Sequence, residues 1–164
     1  MAQTIKWDWR LLASLIYHES RFIHDISSKA GAYGIMQIMP STADFLNIDK
    51  YASAEVQIIA GGKFLKYLDK KLPTEINIYM ERVKFILASY NLGIGHILDA
   101  INLCEKYGEN AEYWNNVKKY LLAKADYNFY SQDVVNHGYC KAKQTVRYVD
   151  QIIERYYYYR SFDF

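Results

Sequence analysis

Little in this 164-residue chain interrupts regular structure, since it holds only two prolines and eight glycines. Linkers and low-complexity segments are thereby excluded, and neither a repeat nor a credible hairpin turn is present. No stretch approaches the roughly 20 apolar residues that a membrane-spanning helix needs. The opening Met1-Ala2-Gln3-Thr4 has no apolar signal-peptide core. The expectation is therefore either a cytoplasmic chain or an exported module supplied without its leader. Charge of one sign is scarce too: the net charge is +2, with no Lys/Arg block dense enough for a nucleic-acid footprint. Two cysteines, Cys104 and Cys140, match no metal-ligand spacing. They either form a disulfide in an oxidising compartment or remain two unpaired core thiols.

What is present is ordinary in total and unusual in one respect. Hydrophobic residues at 51% and charged residues at 23% fit one soluble globular domain with a sizeable core. The 17 tyrosines are the outlier. Their flat, amphipathic rings either pave a carbohydrate groove or serve as core and surface filler.

Periodicity points to a single, mainly α domain. Asp8 is placed to cap a first helix over about Trp9 to Ser20. A loop-like stretch follows to Tyr33, then a short helical turn from Gly34 to Met39 that Pro40 should stop. Ser41 and Asp44 have capping-box-like spacing for a brief helix towards Leu46. The next helix is expected over about Ser53 to Lys71, with Val56, Ile59, Ala60, Phe64, Tyr67 and Leu68 on its inner face. Gly61-Gly62 in its middle calls for the close approach of another element. A helix of about Ile78 to Asn91 carries Val83, Ile86, Leu87 and Tyr90 at i, i+3, i+4 and i+7, and Gly93 and Gly95 should end it. Ile97, Leu98, Ile101 and Leu103 belong to another helix stopping near Gly108. Tyr113 to Ala125 reads as helical, and Asp126 to Gly138 as a polar, aromatic loop. A last helix, about Lys141 to Arg160, has Thr145, Val149, Ile152 and Tyr156 on one face, and its run Tyr156 to Tyr159 should wrap around it.

One acid stands out. Leu12, Leu15, Ile16 and Glu19 fall at i, i+3, i+4 and i+7, so Glu19 extends an apolar stripe instead of opposing it. Desolvation on that stripe favours the protonated carboxylic acid, the form suited to donating a proton to a glycosidic oxygen. The alternative is an acid that ends its helix and turns into solvent.

The residues after Glu19 bear on that choice. Glu19-Ser20, Ser28, then Gly31-Ala32-Tyr33-Gly34-Ile35-Met36-Gln37-Ile38-Met39-Pro40-Ser41-Thr42-Ala43, then Ala60-Gly61-Gly62 and Ala88-Ser89-Tyr90-Asn91-Leu92-Gly93, occur in that order. Together they resemble the signature of the lytic transglycosylases with a goose-lysozyme-like catalytic domain. Asp8-Trp9-Arg10-Leu11-Leu12-Ala13 and Tyr17-His18-Glu19-Ser20 look closest to the C-terminal module of the F-type membrane-bound branch. The resemblance covers about residues 8 to 100, and 141 to 155 more loosely.

The resemblance implies an all-α, lysozyme-like single domain over residues 1–164. It also implies cleavage of the β-1,4 bond between N-acetylmuramic acid and N-acetylglucosamine in peptidoglycan. Glu19 matches the family's single acid/base. It would protonate the leaving oxygen and then take the proton of the muramic acid's C6 hydroxyl as a 1,6-anhydro ring closes. That scheme needs neither the second carboxylate of most glycosidases nor a metal or organic cofactor, and Asp25, six residues on, reads as a loop residue.

Ser28, Gly34, Gln37, Met39, Tyr90, Asn91 and Gln144 are the candidate substrate-binding residues. Each also has a structural alternative. Ser28 bonds its own loop backbone, Gln37 is an amide satisfied by backbone, and Met39 is core. Tyr90 is a core tyrosine and Asn91 caps its own helix, while Gly34 would let the backbone pass close to a sugar. Gln144 is a departure, because relatives often carry a Glu before the Thr-x-x-Tyr-Val that Thr145 and Tyr148-Val149 match here.

The implied partner is the peptidoglycan strand and the implied location the cell envelope, with an N-terminal solute-binding-like domain in a longer parent. A hydrolytic goose-type muramidase and a non-catalytic peptidoglycan-binding module are the alternative readings.

Overall fold

A computed structural model describes residues 6–49 and 51–162, so the reading of Met1–Thr4 lies outside the described residues. Eight helices are named among them, with only isolated bridges between extended residues. They are α1 (Trp9–Ser20), α2 (Pro40–Leu46), α3 (Ala54–Lys71), α4 (Tyr79–Leu92), α5 (Ile94–Lys106), α6 (Trp114–Ala123), α7 (Tyr127–Tyr130) and α8 (Lys143–Arg160). The chain divides into two compact units, residues 1–67 with 151–164, and residues 68–150.

In the first unit, α1 begins where expected. The Asp8 carboxylate accepts the Arg10 N–H at 3.0 Å, and the Tyr156 hydroxyl lies 3.4 Å from it. Leu11, Leu12, Leu15 and Ile16 are buried, each contributing about 1.5–3 kcal/mol of transfer free energy. Pro40 does not stop a helix; it starts one. It occupies the first position of α2, where its missing N–H costs nothing and its fixed φ suits helical geometry. The preceding segment forms a turn instead of a helical one, closed by Tyr33 and Ile38 exchanging backbone hydrogen bonds at 3.0 Å.

The inner face of α3 differs from the expected one. Val56 and Ile59 are exposed, whereas Gln57, Ala60, Gly61, Leu65 and Leu68 are buried. The cause is Met36, fully buried, whose side chain fills the place a Cβ on Gly61 would take. In the first half of α3 small residues and one amide take the inner positions, so the expected face holds at Ala60 and Leu68 and fails at Val56 and Ile59.

In the second unit, α5 packs against α4 and α6. Phe85 of α4 meets Trp114 of α6 edge-on at 5.4 Å. The Glu81 carboxylate accepts the Trp114 N–H at 2.7 Å, supplying negative charge at a helix start that lacks a side-chain cap of its own. Arg82 gathers the connection before α4, donating to the carbonyls of Pro73 and Ile76 at 2.8 Å. Gly93 alone separates α4 from α5. Gly95, expected to end the earlier helix, lies inside the first turn of α5, where the His137 ring fills the space beside it. The aromatic loop contains the short α7. Cys104 and Cys140 are both buried free thiols. Burial pushes the Cys104 thiol up to about 11, so it stays protonated and unreactive. Thr145, Val149, Ile152 and Tyr156 of α8 are all buried, while Tyr157 and Tyr158 face solvent.

Candidate active site

The candidate residues fall in both units. Glu19 occupies the last turn of α1 and is half-buried, one residue before the fully packed Ser20. The Ser20 hydroxyl donates to the Ile35 carbonyl at 2.8 Å. The end of α1 is thereby tied to the 34–37 turn, which fixes the backbone that carries Glu19.

Backbone strain gathers around this point. Arg21 closes α1 in the left-handed region at φ 55° and Phe22 follows at 65°. Gln37 adopts 45° and Gly34 78°. For the three non-glycine residues such geometry costs about 1–2 kcal/mol each. It persists only because surrounding bonds over-determine it, as is common at functional sites.

Those bonds are specific. Gln57 of α3 receives the Ile35 N–H at 2.8 Å and donates to the Ala52 carbonyl at 2.7 Å. Gln37 donates its side-chain N–H groups to the carbonyls of Ile26 and Gly34 at 3.1 and 2.9 Å. The Gly34 N–H returns to Ile26 at 2.8 Å. A Cβ on Gly34 would overlap the Gln57 amide, so this glycine is required by its own fold as well as by its positive φ. The Ser28 hydroxyl accepts the Ala32 N–H at 3.0 Å, leaving its own proton to donate. Met39 is exposed at the entry to α2.

A cavity of about 200 Å³ opens beside this turn, with Tyr33, Ile38, Pro40, Asp44, Asp49 and Gln57 among its walls. Gln57 was not among the sequence candidates. The signal was there, in a polar residue one helical turn before Ala60 and Gly61 on the buried side of α3.

In the second unit, Tyr90 and Asn91 lie in the last turn of α4, Tyr90 half-buried and Asn91 exposed. The Asn91 side-chain Oδ1 accepts the buried Thr145 hydroxyl at 2.8 Å, linking the end of α4 to α8. Gln144 stands exposed in the first turn of α8.

Comparison with known proteins decides the family. Residues 1–113 match the family model described as the transglycosylase SLT domain. The chain belongs to this family. A membrane-bound lytic murein transglycosylase F from Haemophilus influenzae (strain PittGG) is 39% identical over 145 residues, covering 88% of this chain and 30% of that protein. The protein of the same name from Shewanella frigidimarina (strain NCIMB 400) is 37% identical over 150 residues, 92% of this chain and 31% of that protein. The chain thus spans about 30% of the length of these relatives. A crystal structure of an inactive mutant of the lytic transglycosylase Slt from Pseudomonas aeruginosa matches with a TM-score of 0.61 at 16% identity, over 98% of this chain and 22% of that one. The fold of this SLT-domain chain is all-α and lysozyme-like, as expected.

Proposed function

We propose that this SLT-domain chain is the catalytic module of a peptidoglycan lytic transglycosylase, with Glu19 as its only acid/base. The observation that carries the reading is the placement of Glu19: half-buried on the apolar stripe of α1, on a backbone locked by the Ser20–Ile35 bond and two left-handed residues. A proton donor must be held within a fraction of an ångström of its target, and rigid backbone on both sides provides that. Membership of the SLT-domain family and the names of the relatives support peptidoglycan as the substrate.

In this reading Glu19 protonates the glycosidic oxygen between N-acetylmuramic acid and N-acetylglucosamine, and that carbon–oxygen bond breaks. The resulting carboxylate takes the C6 hydroxyl proton as O6 bonds to C1, which closes the 1,6-anhydro ring. The Ser28 hydroxyl proton, the Gln37 side-chain carbonyl, Met39, Tyr90, Asn91 and Gln144 are assigned to holding the sugars, with Gly34 letting the 34–37 turn close against Gln57. The chain works in the cell envelope, within a longer parent protein, on peptidoglycan strands.

Mass spectrometry of purified peptidoglycan digested with the protein, beside Glu19→Gln, tests this. Anhydromuropeptides from the wild type alone are expected. A general acid that is also the base should cost at least about 10³-fold when removed. Reducing-end products would make the chain a muramidase instead. Glu19→Gln activity within severalfold of wild type would remove the acid/base assignment.

A further inference from the structure

Thr145 differs from the other buried hydroxyls. Ser14, Ser20 and Ser89 each donate to the carbonyl four residues back in their own helix, at 2.7, 3.2 and 2.7 Å. A local carbonyl is the nearest partner for a hydroxyl inside a helix. Thr145, 2% exposed in the first turn of α8, makes no such bond among the described residues. Its proton goes instead to Oδ1 of Asn91, 54 residues earlier in the chain, at 2.8 Å. Both residues belong to the second unit.

The consequence falls on Asn91. A primary amide carries one acceptor oxygen and two N–H donors on a single rigid plane. With Oδ1 held by a buried donor, that plane is set and the two Nδ2 hydrogens are turned away from Thr145. Among the described residues they have no partner, and Asn91 is exposed. The end of α4 therefore presents a donor-only group whose orientation is fixed from behind by α8. Pairing the two helices uses the oxygen and leaves the donors idle. Their complement is an oxygen acceptor, such as a sugar hydroxyl or an acetamido carbonyl.

We propose that Thr145 is a positioning residue of the substrate site, orienting Asn91 so that its side-chain N–H groups meet sugar oxygens. The sugar rests on the proposed function; the orientation imposed by Thr145 does not. The size of the effect follows from the freedom that loss of the hydroxyl would restore. An asparagine in a helix has two open χ1 wells and a two-fold amide torsion, about four combinations. If one of them is competent, removing the hydroxyl should weaken glycan binding about fourfold.

NMR of the ¹⁵N-labelled Glu19→Gln protein, titrated with the soluble N-acetylglucosamine tetramer, tests this without turnover. The Asn91 side-chain N–H pair should be one sharp set that shifts on saturation. Thr145→Val, which keeps the volume and removes the hydroxyl, should broaden the free pair and weaken binding about fourfold. Thr145→Ser, which loses a methyl and keeps the hydroxyl, should restore both. A packing role for Thr145 predicts the opposite ranking of these two variants. Asn91→Asp keeps the acceptor for Thr145 and removes the donors, so it should bind at least as weakly as Thr145→Val. That exposed substitution keeps the test open if Thr145→Val does not fold. An Asn91 pair unmoved by the tetramer, or no saturable binding, would overturn the proposal. So would parental affinity in Thr145→Val or Asn91→Asp, or binding by Thr145→Ser as weak as by Thr145→Val. The peptidoglycan digest judges Glu19 separately, so failure of the catalytic reading stays distinguishable.

Discussion

Each unit uses a buried polar side chain on a helix to hold a long loop, but the two use opposite chemistry. In the first, the neutral Gln57 amide and Ser20 hydroxyl secure the 34–37 turn. In the second, Asp99 of α5 accepts the backbone N–H groups of Asn136 and His137, both at 2.9 Å. Its charge is met by Lys124, itself fully buried, at 2.5 Å. Lys124 in turn lies 3.1 Å from the His96 ring nitrogen. A neutral amide needs only hydrogen-bond partners, whereas a buried charge needs a counter-charge as well. The loop beside the proposed acid is thus held without formal charge, and the loop in the second unit by a charged network.

The largest break in this comparison should come from Lys124→Met. It strands the Asp99 carboxylate in the core and should cost about 3–5 kcal/mol in urea or thermal unfolding. Adding Asp99→Asn removes the orphaned charge, so the double variant should recover part of the loss, as a double-mutant cycle would show. Additive losses would mean that the two groups do not act as a pair.

Gln57→Leu is the corresponding test in the first unit. It leaves the Ile35 N–H buried without its acceptor and should cost about 1–3 kcal/mol. Since that turn anchors Ser20, digestion of peptidoglycan should slow along with the loss of stability. Unchanged turnover in folded Gln57→Leu would detach the turn from the positioning of Glu19. Gly34→Ala should cost a similar amount, from the overlap with Gln57 and the left-handed backbone together. In a Gln57→Ala background only the backbone part should remain.

How much of this was legible beforehand follows from what each residue reports about itself. The bounds of α1 and the buried face of α8 were readable because an N-cap and large apolar residues announce them directly. The first half of the α3 face was not, since its inner positions there are an amide, an alanine and a glycine whose meaning depends on Met36, 25 residues earlier. Lys124 gave no signal, because a lysine ending a helix ordinarily lies in water. Glu19 and the turn after it were visible as an ordered motif. The bonds that hold that turn are made by Ser20 and Gln57, and spacing along the chain does not encode them.

The smallest effect concerns pH, and it belongs to the charged network of the second unit. Burial, then the neighbouring Lys124 charge, holds the His96 imidazole below its ordinary range. The unfolded chain therefore takes up this proton first on acidification. The contribution of neutral His96 is present above about pH 6.5 and is lost as pH falls from there towards its folded value. For Asp99, burial raises the carboxyl, but Lys124 and the backbone of Asn136 and His137 lower it further, so the net shift is downward. Its contribution is present above about pH 4 and is lost as pH falls through the folded value. Melting temperature should accordingly decline in two steps, a shallow one below neutrality and a steeper one in acid. His96→Gln, which retains an acceptor for Lys124, should flatten the first step and leave the second. Gln57→Leu should lower the whole curve without changing its shape, since a neutral amide takes up no proton on unfolding. A first step that survives in His96→Gln would show that this histidine is not the group responsible.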